Sequence, residues 1–449
     1  MLSLFQRVIL KLRRRWDWRV SRSCNRRLTL VSQFYPPDFA ATGQLLDDLT
    51  SHLAKLGLQV QVLTGMPAYA FNNAEAKRIE FQPNRYIRRT NVSRFWPQRI
   101  RGRAINGILF CLRISLRLLR YSRRGDLILY TTEPPYLPLL GWVLHHFTRT
   151  PYLVLIYDLY PDVLIELGVL PANHMVVRFW RQFNRWMFAD AQELIVLSEP
   201  MAQRVRGSDP SSATKLSVIP SWADPEKIRP LAKGDNWFVQ KHNLADRFTV
   251  LYSGNQGRCH DLVTVIATAL LLRHDPDVVF LFIGKGAQHE RLLQLVHDWG
   301  LSNCVFLPYQ DLEDLPYSLA AADLALVTLG IKAEGLVAPS KLYGHLAAGT
   351  PIAAITPPDC YLRELVEQES CGRWFANGNA EDLAAWIRKL KQQPAAARSL
   401  GEASRALLQR TATPELVSAT YLKLIEDHLP ESRRMVAAVA RRAASDIES

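Results

Sequence analysis

From residue 28 onward, short and nearly unbroken apolar runs alternate with longer amphipathic stretches. LTLVSQF (28–34) predicts a strand, Gly43 to Leu56 a helix, and LQVQVLT (58–64) a second strand. Further strands are expected at DLILYTT (126–132), PYLVLIYD (151–158), ELIVLS (193–198) and KLSVIP (215–220), with a Pro-punctuated helix reaching about residue 148. The cycle restarts after residue 225 with FTVLYSG (248–254), VVFLFIG (278–284), CVFL (304–307), DLALVTL (323–329) and PIAAI (351–355). Strands that are apolar on both faces and alternate with helices imply parallel sheets covered on both sides. The expected fold is therefore α/β, with two doubly wound domains at 28–225 and 226–430 and a charged linker from Asp224 to about Asp246. Ligands of such sheets sit beyond the carboxyl ends of the strands, and in a two-domain arrangement those ends can face one another across a cleft. Residues 1–27 form an N-terminal extension, and the Ala/Arg-rich residues 431–449 a tail that is helical or disordered.

Two amphipathic patterns carry a second message. Ile105, Ile108, Leu109, Leu112, Leu116 and Leu119 share one helical face, while Arg113, Arg117 and Arg120 share another. The N-terminus repeats this with Leu2, Phe5, Ile9 and Leu12 against Arg7, Lys11 and Arg14. No apolar stretch is long enough and free enough of charge for a transmembrane helix, and the N-terminal pattern lacks the order of a secretory signal. Basic amphipathic helices suit an anionic membrane surface; for 104–120 a core-facing helix with a basic outer side fits as well.

Charge is unevenly distributed across the 449 residues. Of a net +13, residues 1–27 carry +8 and residues 81–124 carry +12, the latter with twelve Arg and no acid. The remainder is near −7, so a polyanionic partner is expected for the basic half. The six Cys form no CxxC pair and no Cys/His metal spacing, which points to a reducing compartment and to neither a zinc site nor a disulfide framework. No metal motif, GxSxG or Cys–His pairing stands out.

Candidate chemistry collects at strand ends. In EGLVAPSKLYGHLAAGTPIAAI (334–355), Pro339 and Ser340 open a helix, and Gly349 and Pro351 close it. Lys341 at the amino end of that helix is electrostatically costly unless an anion compensates it, so the pattern favours a phosphate site. Glu334 just upstream is placed to accept hydrogen bonds from hydroxyls. In YSGNQGRCHDL (252–262), Gly254 and Gly257 permit close backbone approach beside Asn255 and Arg258, which suits a diphosphate. Lys285 in IGKGAQHERL marks a further strand-to-helix edge. In the first half, FYPPDFAATGQ brings Thr42 and Gly43 to a helix start, and IYDLYPD ends a strand at Tyr157 and Asp158. Asp158 is a candidate general base or hydroxyl acceptor, or else a helix cap.

Taken in order, QFYPPDFAATGQ, VLTGMPAY, YDLYPDVLIELGVL, LSEPMAQRV, VIPSWADPEKIRP, LYSGNQGRCHDL, FIGKGA and APSKLYGHLAAGTPIAAI resemble the GT-B glycosyltransferases of the family-4 type. The likeness is greatest to those of bacterial exopolysaccharide assembly, such as the colanic-acid enzymes, and covers roughly residues 28–425. It implies two Rossmann-like domains, a nucleotide-sugar donor in the C-terminal one and an acceptor in the N-terminal one. It further implies transfer without a metal or cofactor and with retention of anomeric configuration. The chain departs from the family at several places. The family's two glutamates, seven residues apart, fall on Leu336 and Gly344; its Arg and Lys after the first C-domain strand fall on Asn255 and His260; its His before Asp falls on Tyr157.

The expected function is transfer of a sugar from a nucleotide diphosphate donor to a lipid-linked or polysaccharide acceptor, at the cytoplasmic membrane face. Arg258, Lys341 and the amides near Ser340 would hold the diphosphate, with Gly254, Asn255, Gly257 and Lys285 around the donor. Glu334 would hold sugar or ribose hydroxyls, and Thr42, Gly43, Tyr157 and Asp158 would line the acceptor side. The alternatives are a nucleotide-sugar epimerase of the same fold and a catalytically impaired homologue acting as a partner subunit. A nucleic-acid-binding protein is suggested by charge alone, and no nucleic-acid partner is expected.

Overall fold

A computed structural model describes residues 27–38, 41–67, 76–91, 100–121 and 126–429. The basic N-terminal pattern before Arg27 and the tail from residue 430 lie outside the described residues. The chain divides into two compact units that interleave in sequence. Unit 1 comprises residues 1–130, 140–153 and 421–449, and unit 2 comprises 131–139 and 154–420.

Unit 1 is built on β1 (Arg27–Val31), β2 (Gln59–Gly65), β3 (Ile79–Gln82), β4 (Arg85–Thr90) and β5 (Leu127–Thr131). They are hydrogen-bonded in the order β3-β4-β2-β1-β5, all parallel except β3 against β4. β1, β2 and β5 were expected. β3 and β4 were not, because RYIRRT reads as a charged surface segment. Arg85 and Arg89 are in fact 6% and 3% exposed. Arg85 donates to Asp47 Oδ1 (2.6 Å), the Asp47 carbonyl (2.9 Å) and Tyr35 Oη (3.0 Å). Arg89 pairs with Glu80 and donates to the carbonyls of Pro36 (2.6 Å) and Lys77 (2.9 Å). A buried guanidinium needs this many acceptors, so part of the basic segment is structural rather than a free charged surface.

The helix Ile100–Tyr121 also belongs to unit 1. Phe110, Ile114 and Leu118 form its buried face. The opposing stripe of Ile105, Ile108, Leu112, Leu116 and Leu119 is 41–70% exposed. Of the two readings of this segment, the core-facing one fails for that stripe. Arg113 and Arg117 are tied to backbone, at the carbonyls of Asn91 (2.9 Å) and Arg89 (3.1 Å). No helix among the described residues is long and apolar enough to cross a membrane.

Unit 2 holds β7 (Glu193–Val196) parallel to β8 (Leu216–Val218), most of β6 (Tyr152–Ile156), and a six-stranded parallel sheet. The six strands are β9 (Phe248–Ser253), β10 (Val278–Ile283), β11 (Cys304–Leu307), β12 (Leu324–Thr328), β13 (Ile352–Thr356) and β14 (Gly372–Ala376), in the order β11-β10-β9-β12-β13-β14. β9, β10, β12 and β13 are near-uniformly buried, as their unbroken apolar runs require. The edge strand β14, GRWFA, is apolar for only part of its length and was not foreseen. Part of the presumed linker is packed structure. Asn236, fully buried, caps the helix Trp237–Lys241 and donates to the Tyr317 carbonyl, while Lys233 pairs with Asp323 at 2.5 Å.

Candidate active site

Strand order reverses at β9. The chain runs outward through β10 and β11, then returns to β12 on the other side of β9. The carboxyl ends of β9 and β12 therefore flank the topological switch point of this sheet, where a crevice is dictated by connectivity. Two glycine turns shape it. Gly254 follows β9 with φ +129° and Gly284 follows β10 with φ +118°, a region that side chains avoid. Ser253 pairs with Ile283, so the turns lie side by side, and a Cβ on Gly284 would fall 2.3 Å from the Gly254 carbonyl oxygen. Gln256, fully buried, fastens them: its side-chain amide donates to the Gly284 carbonyl (3.2 Å), and its Oε1 lies 2.8 Å from His289 Nδ1.

Lys341 enters this crevice from the helix Lys341–Ala347 that follows β12. Its Nζ lies 2.5 Å from Tyr252 Oη, 4.0 Å from the centroid of that ring and 3.3 Å from His260 Nε2. The directions of these bonds are fixed by their neighbours. Tyr252 donates its own proton to the Asn255 carbonyl (2.7 Å), and His260 Nδ1 donates to the Thr328 carbonyl (2.7 Å). Both partners thus present lone pairs to the ammonium, leaving its third N–H without an acceptor among the described residues. No carboxylate pairs with it there either. Burial pushes the Lys341 pKa well below the usual lysine value, and burial together with the Lys341 charge pushes that of His260 down to about 3. The helix has only seven residues, so its dipole is a minor term beside the full charge of Lys341. Ser340 stands at the cap position, but its hydroxyl makes no capping bond.

Asp158 meets the same region from the end of β6. It forms an isolated antiparallel bridge with Val337, and Leu159 N–H donates to the Leu336 carbonyl at 3.0 Å. Burial raises the Asp158 carboxyl to about 6, and burial followed by the Asp158 charge raises the Cys259 thiol to about 11. Asp158 also lines a recess with Thr132, Pro138, Ile156, Asn184 and Phe188. Glu334 starts the loop that carries Val337. One carboxylate oxygen accepts from the Tyr361 amide at 3.4 Å, the Cys360 thiol also hydrogen-bonds this carboxyl group, and Oε2 is buried. Burial raises its pKa. A buried carboxylate held only by a thiol and one long amide bond keeps acceptor capacity for a hydroxyl donor.

Two family models match the chain: one described as glycosyl transferase 4-like domain over residues 42–222, and one as glycosyl transferases group 1 over residues 235–407. Together they span well over half of the sequence. The chain belongs to the group 1 glycosyltransferases.

This group 1 glycosyltransferase is 26% identical over 341 residues to a probable glycosyltransferase, WbjE, of Pseudomonas aeruginosa, covering 75% of this chain and 83% of that one. It is 24% identical to the putative colanic acid biosynthesis glycosyl transferase WcaI of Escherichia coli K12, covering 70% of this chain and 79% of that one. Among solved structures it is similar to sucrose-phosphate synthase of Thermosynechococcus elongatus, with a TM-score of 0.71 at 20% identity over 92% of this chain and 100% of that one. The Anabaena protein HepE, solved in complex with UDP-glucose, aligns with a TM-score of 0.67 at 16% identity over 89% of this chain and 99% of that one. These likenesses establish the GT-B fold with its parallel-sheet α/β domains.

Within that fold the sequence-predicted residues separate into groups. Lys341 and Gly254 come together, the lysine Cε lying 3.6 Å from where a Gly254 Cβ would stand. Asn255 and Arg258 are exposed on the same turn, and no hydrogen bond or ion pair is found for Arg258 among the described residues. A Cβ on Gly257 would meet the Asn255 side chain first, at 3.2 Å. The Lys285 ammonium points to solvent, 3.9 Å from exposed Glu290, while its backbone carbonyl accepts from Tyr309 Oη at 2.9 Å. Tyr157 is 7% exposed, its amide bonded to Thr132 Oγ1. Thr42 and Gly43 belong to unit 1, in the first turn of the helix Ala41–Lys55, where a Gly43 Cβ would sit 3.2 Å from the Tyr35 backbone. The positions of the two family glutamates are both apolar surroundings. Leu336 is 1% exposed, and a Cβ on Gly344 would meet Leu319 at 3.1 Å.

Sequence reasoning passed over Tyr252, Gln256 and His345. Tyr252 lies inside a strand of core residues and looks like one of them. His345 is fully buried with neither ring nitrogen bonded, close enough to Lys341 for that charge, after burial, to push it down to about 3.

Proposed function

We propose that this glycosyltransferase moves a sugar, with retention of configuration, from a nucleotide diphosphate donor to a lipid-linked or polysaccharide acceptor in cell-surface polysaccharide synthesis. The observation that carries the donor reading is the Lys341 ammonium, fixed by two neutral acceptors at the switch point with its third N–H open. Such a group stabilises the charge that grows on a departing diphosphate and does so without reorganising. Exposed Arg258 on the Gly254 turn supplies a second cation, so the reading includes no metal or other cofactor. Glu334 Oε2 takes a hydroxyl of the donor sugar or ribose. Asp158, at the end of β6, orients or deprotonates the acceptor hydroxyl.

The likeness to WcaI, a putative glycosyl transferase of colanic acid biosynthesis, supports the acceptor class, and the likeness to HepE, solved with UDP-glucose, supports the donor class. The acceptor reading places the chain on the cytoplasmic face of the membrane. The exposed aliphatic stripe of helix Ile100–Tyr121, in a segment rich in Arg and lacking acid, supports an anionic membrane surface as a partner. The test is release of nucleoside diphosphate by the full chain from UDP-, GDP- and ADP-sugars in the presence of a lipid extract. We expect donor-dependent release that Lys341→Met lowers by about 100- to 1,000-fold. No release with any donor overturns the reading.

A further inference from the structure

The helix Met175–Asp190 in unit 2 buries Val177, Met187 and Phe188, yet its outer side is apolar as well. Met175 is 66% exposed, Val176 46% and Phe179 59%. Trp186, packed edge-on against Phe183 at 5.4 Å between ring centroids, is still 43% exposed. Met175, Phe179, Phe183 and Trp186 recur at the four- and three-residue steps of one helical face. Arg178 and Arg185, seven residues apart, run along one edge of that face. Both are exposed, and neither has a hydrogen bond or ion pair among the described residues. Arg181, by contrast, is taken up by Asp162 at 2.7 Å. The helix contains no acidic residue before Asp190.

We propose that this face docks on an anionic lipid bilayer. Large apolar and aromatic side chains edged by unpaired arginines match the boundary between acyl chains and anionic headgroups. The absence of acid on the face disfavours a second copy of the same basic surface and complements negative headgroups. The same helix reaches the site through its other side. Asn184 donates to the Tyr160 carbonyl at 2.6 Å, and Asn184, Met187 and Phe188 line the recess that contains Asp158. One helix thus connects the lipid surface to the candidate acceptor base, and a lipid-linked acceptor reaches Asp158 from the bilayer along it. This last step rests on the acceptor reading given above, whereas lipid docking does not.

The full chain is tested for co-sedimentation with phosphatidylcholine vesicles containing or lacking phosphatidylglycerol, with no donor present. Binding to the anionic vesicles is expected, and Phe179→Ser with Trp186→Ser weakens it about tenfold. Arg178→Gln with Arg185→Gln weakens it only where phosphatidylglycerol is present. Thermal unfolding and donor-induced stabilisation of the variants stay at the wild-type level, which excludes misfolding as the cause. Equal vesicle binding by wild type and both double variants overturns the proposal. So does a wild-type dimer in sedimentation velocity that the Phe179→Ser/Trp186→Ser variant dissolves. Diphosphate release is measured separately, so failure to dock and failure to transfer sugar are distinguishable.

Discussion

Lys341 Nζ lies 3.3 Å from His260 Nε2, and the two residues come from different segments that converge on one crevice. The family pattern has a lysine where this chain has His260. Here the positive charge arrives instead from the helix after β12, and the histidine serves as one of its acceptors. On the function proposed above, Lys341 would do the work of that lysine from a different place in the sequence.

A charge-relocation experiment follows. Lys341→Met removes the ammonium and lowers kcat/KM by about 100- to 1,000-fold, the range for losing one preorganised charge on a departing group. Adding His260→Lys in that background returns an ammonium to the crevice and recovers at least about tenfold of the loss. Steady-state diphosphate release reads both numbers. A well-folded double variant no more active than Lys341→Met alone argues that the position of Lys341, beyond its charge, is indispensable, and the relocation idea fails.

Asp158 gives a pH prediction. Its carboxyl is raised to about 6 by burial, so the catalytically useful carboxylate forms as pH rises through that value. The kcat/KM profile should ascend with an apparent pKa near 6, and Asp158→Asn should lower the rate and flatten the limb. Stability runs the other way. Between the usual aspartate value and about 6 the folded chain holds a proton that the unfolded chain has lost, so stability falls as pH rises across that window. Asp158→Asn should therefore raise the melting temperature at pH 7.5 while impairing turnover. An ascending limb that survives the substitution would assign the base elsewhere.

Much of this could be read from the chain. Unbroken apolar runs specify β9, β10, β12 and β13, because a strand buried on both faces has no polar option. Lys341 at a helix start stands out because its charge opposes the local dipole. What stayed hidden has a common cause: polar residues buried by mutual satisfaction resemble surface residues. Arg85 and Arg89 concealed β4 in this way, and Tyr252 concealed its role by lying among core residues. The partnership of Lys341 with His260 spans 81 positions, and nothing local announces it.

The paired glycine turns set a backbone test. At Gly284 an alanine must adopt φ +118° and place its Cβ 2.3 Å from the Gly254 carbonyl oxygen, an atom with no freedom to move aside. Gly284→Ala should cost about 3 kcal/mol or more, combining backbone strain with a steric clash. At Gly344, where the contact outside its own helix among the described residues is a Leu319 methyl at 3.1 Å, alanine is expected to change stability by less than about 1 kcal/mol. Urea unfolding of both variants measures the contrast, and similar losses at the two positions would contradict the nested-turn geometry.

His345 sets the acid limit of the fold. It is fully buried, neither ring nitrogen is bonded, and burial followed by the Lys341 charge holds it down to about 3 from 6.5. Below 6.5 the unfolded chain takes up a proton that the folded chain refuses, so stability declines as pH falls from 6.5 toward 3. At pH 5 this group alone costs about 2 kcal/mol relative to pH 7.5. His345→Leu removes both the titration and the unbonded nitrogens while keeping a side chain of similar bulk. The variant should match or exceed wild-type stability at pH 7.5 and lose about 2 kcal/mol less on acidification to pH 5. Because His260 titrates over the same window, a shallower slope should persist in the variant and steepen again only if His345 is restored. Denaturant midpoints collected at the two pH values decide it. Parallel losses in wild type and His345→Leu would mean that His345 is protonated, or solvated, in the folded enzyme.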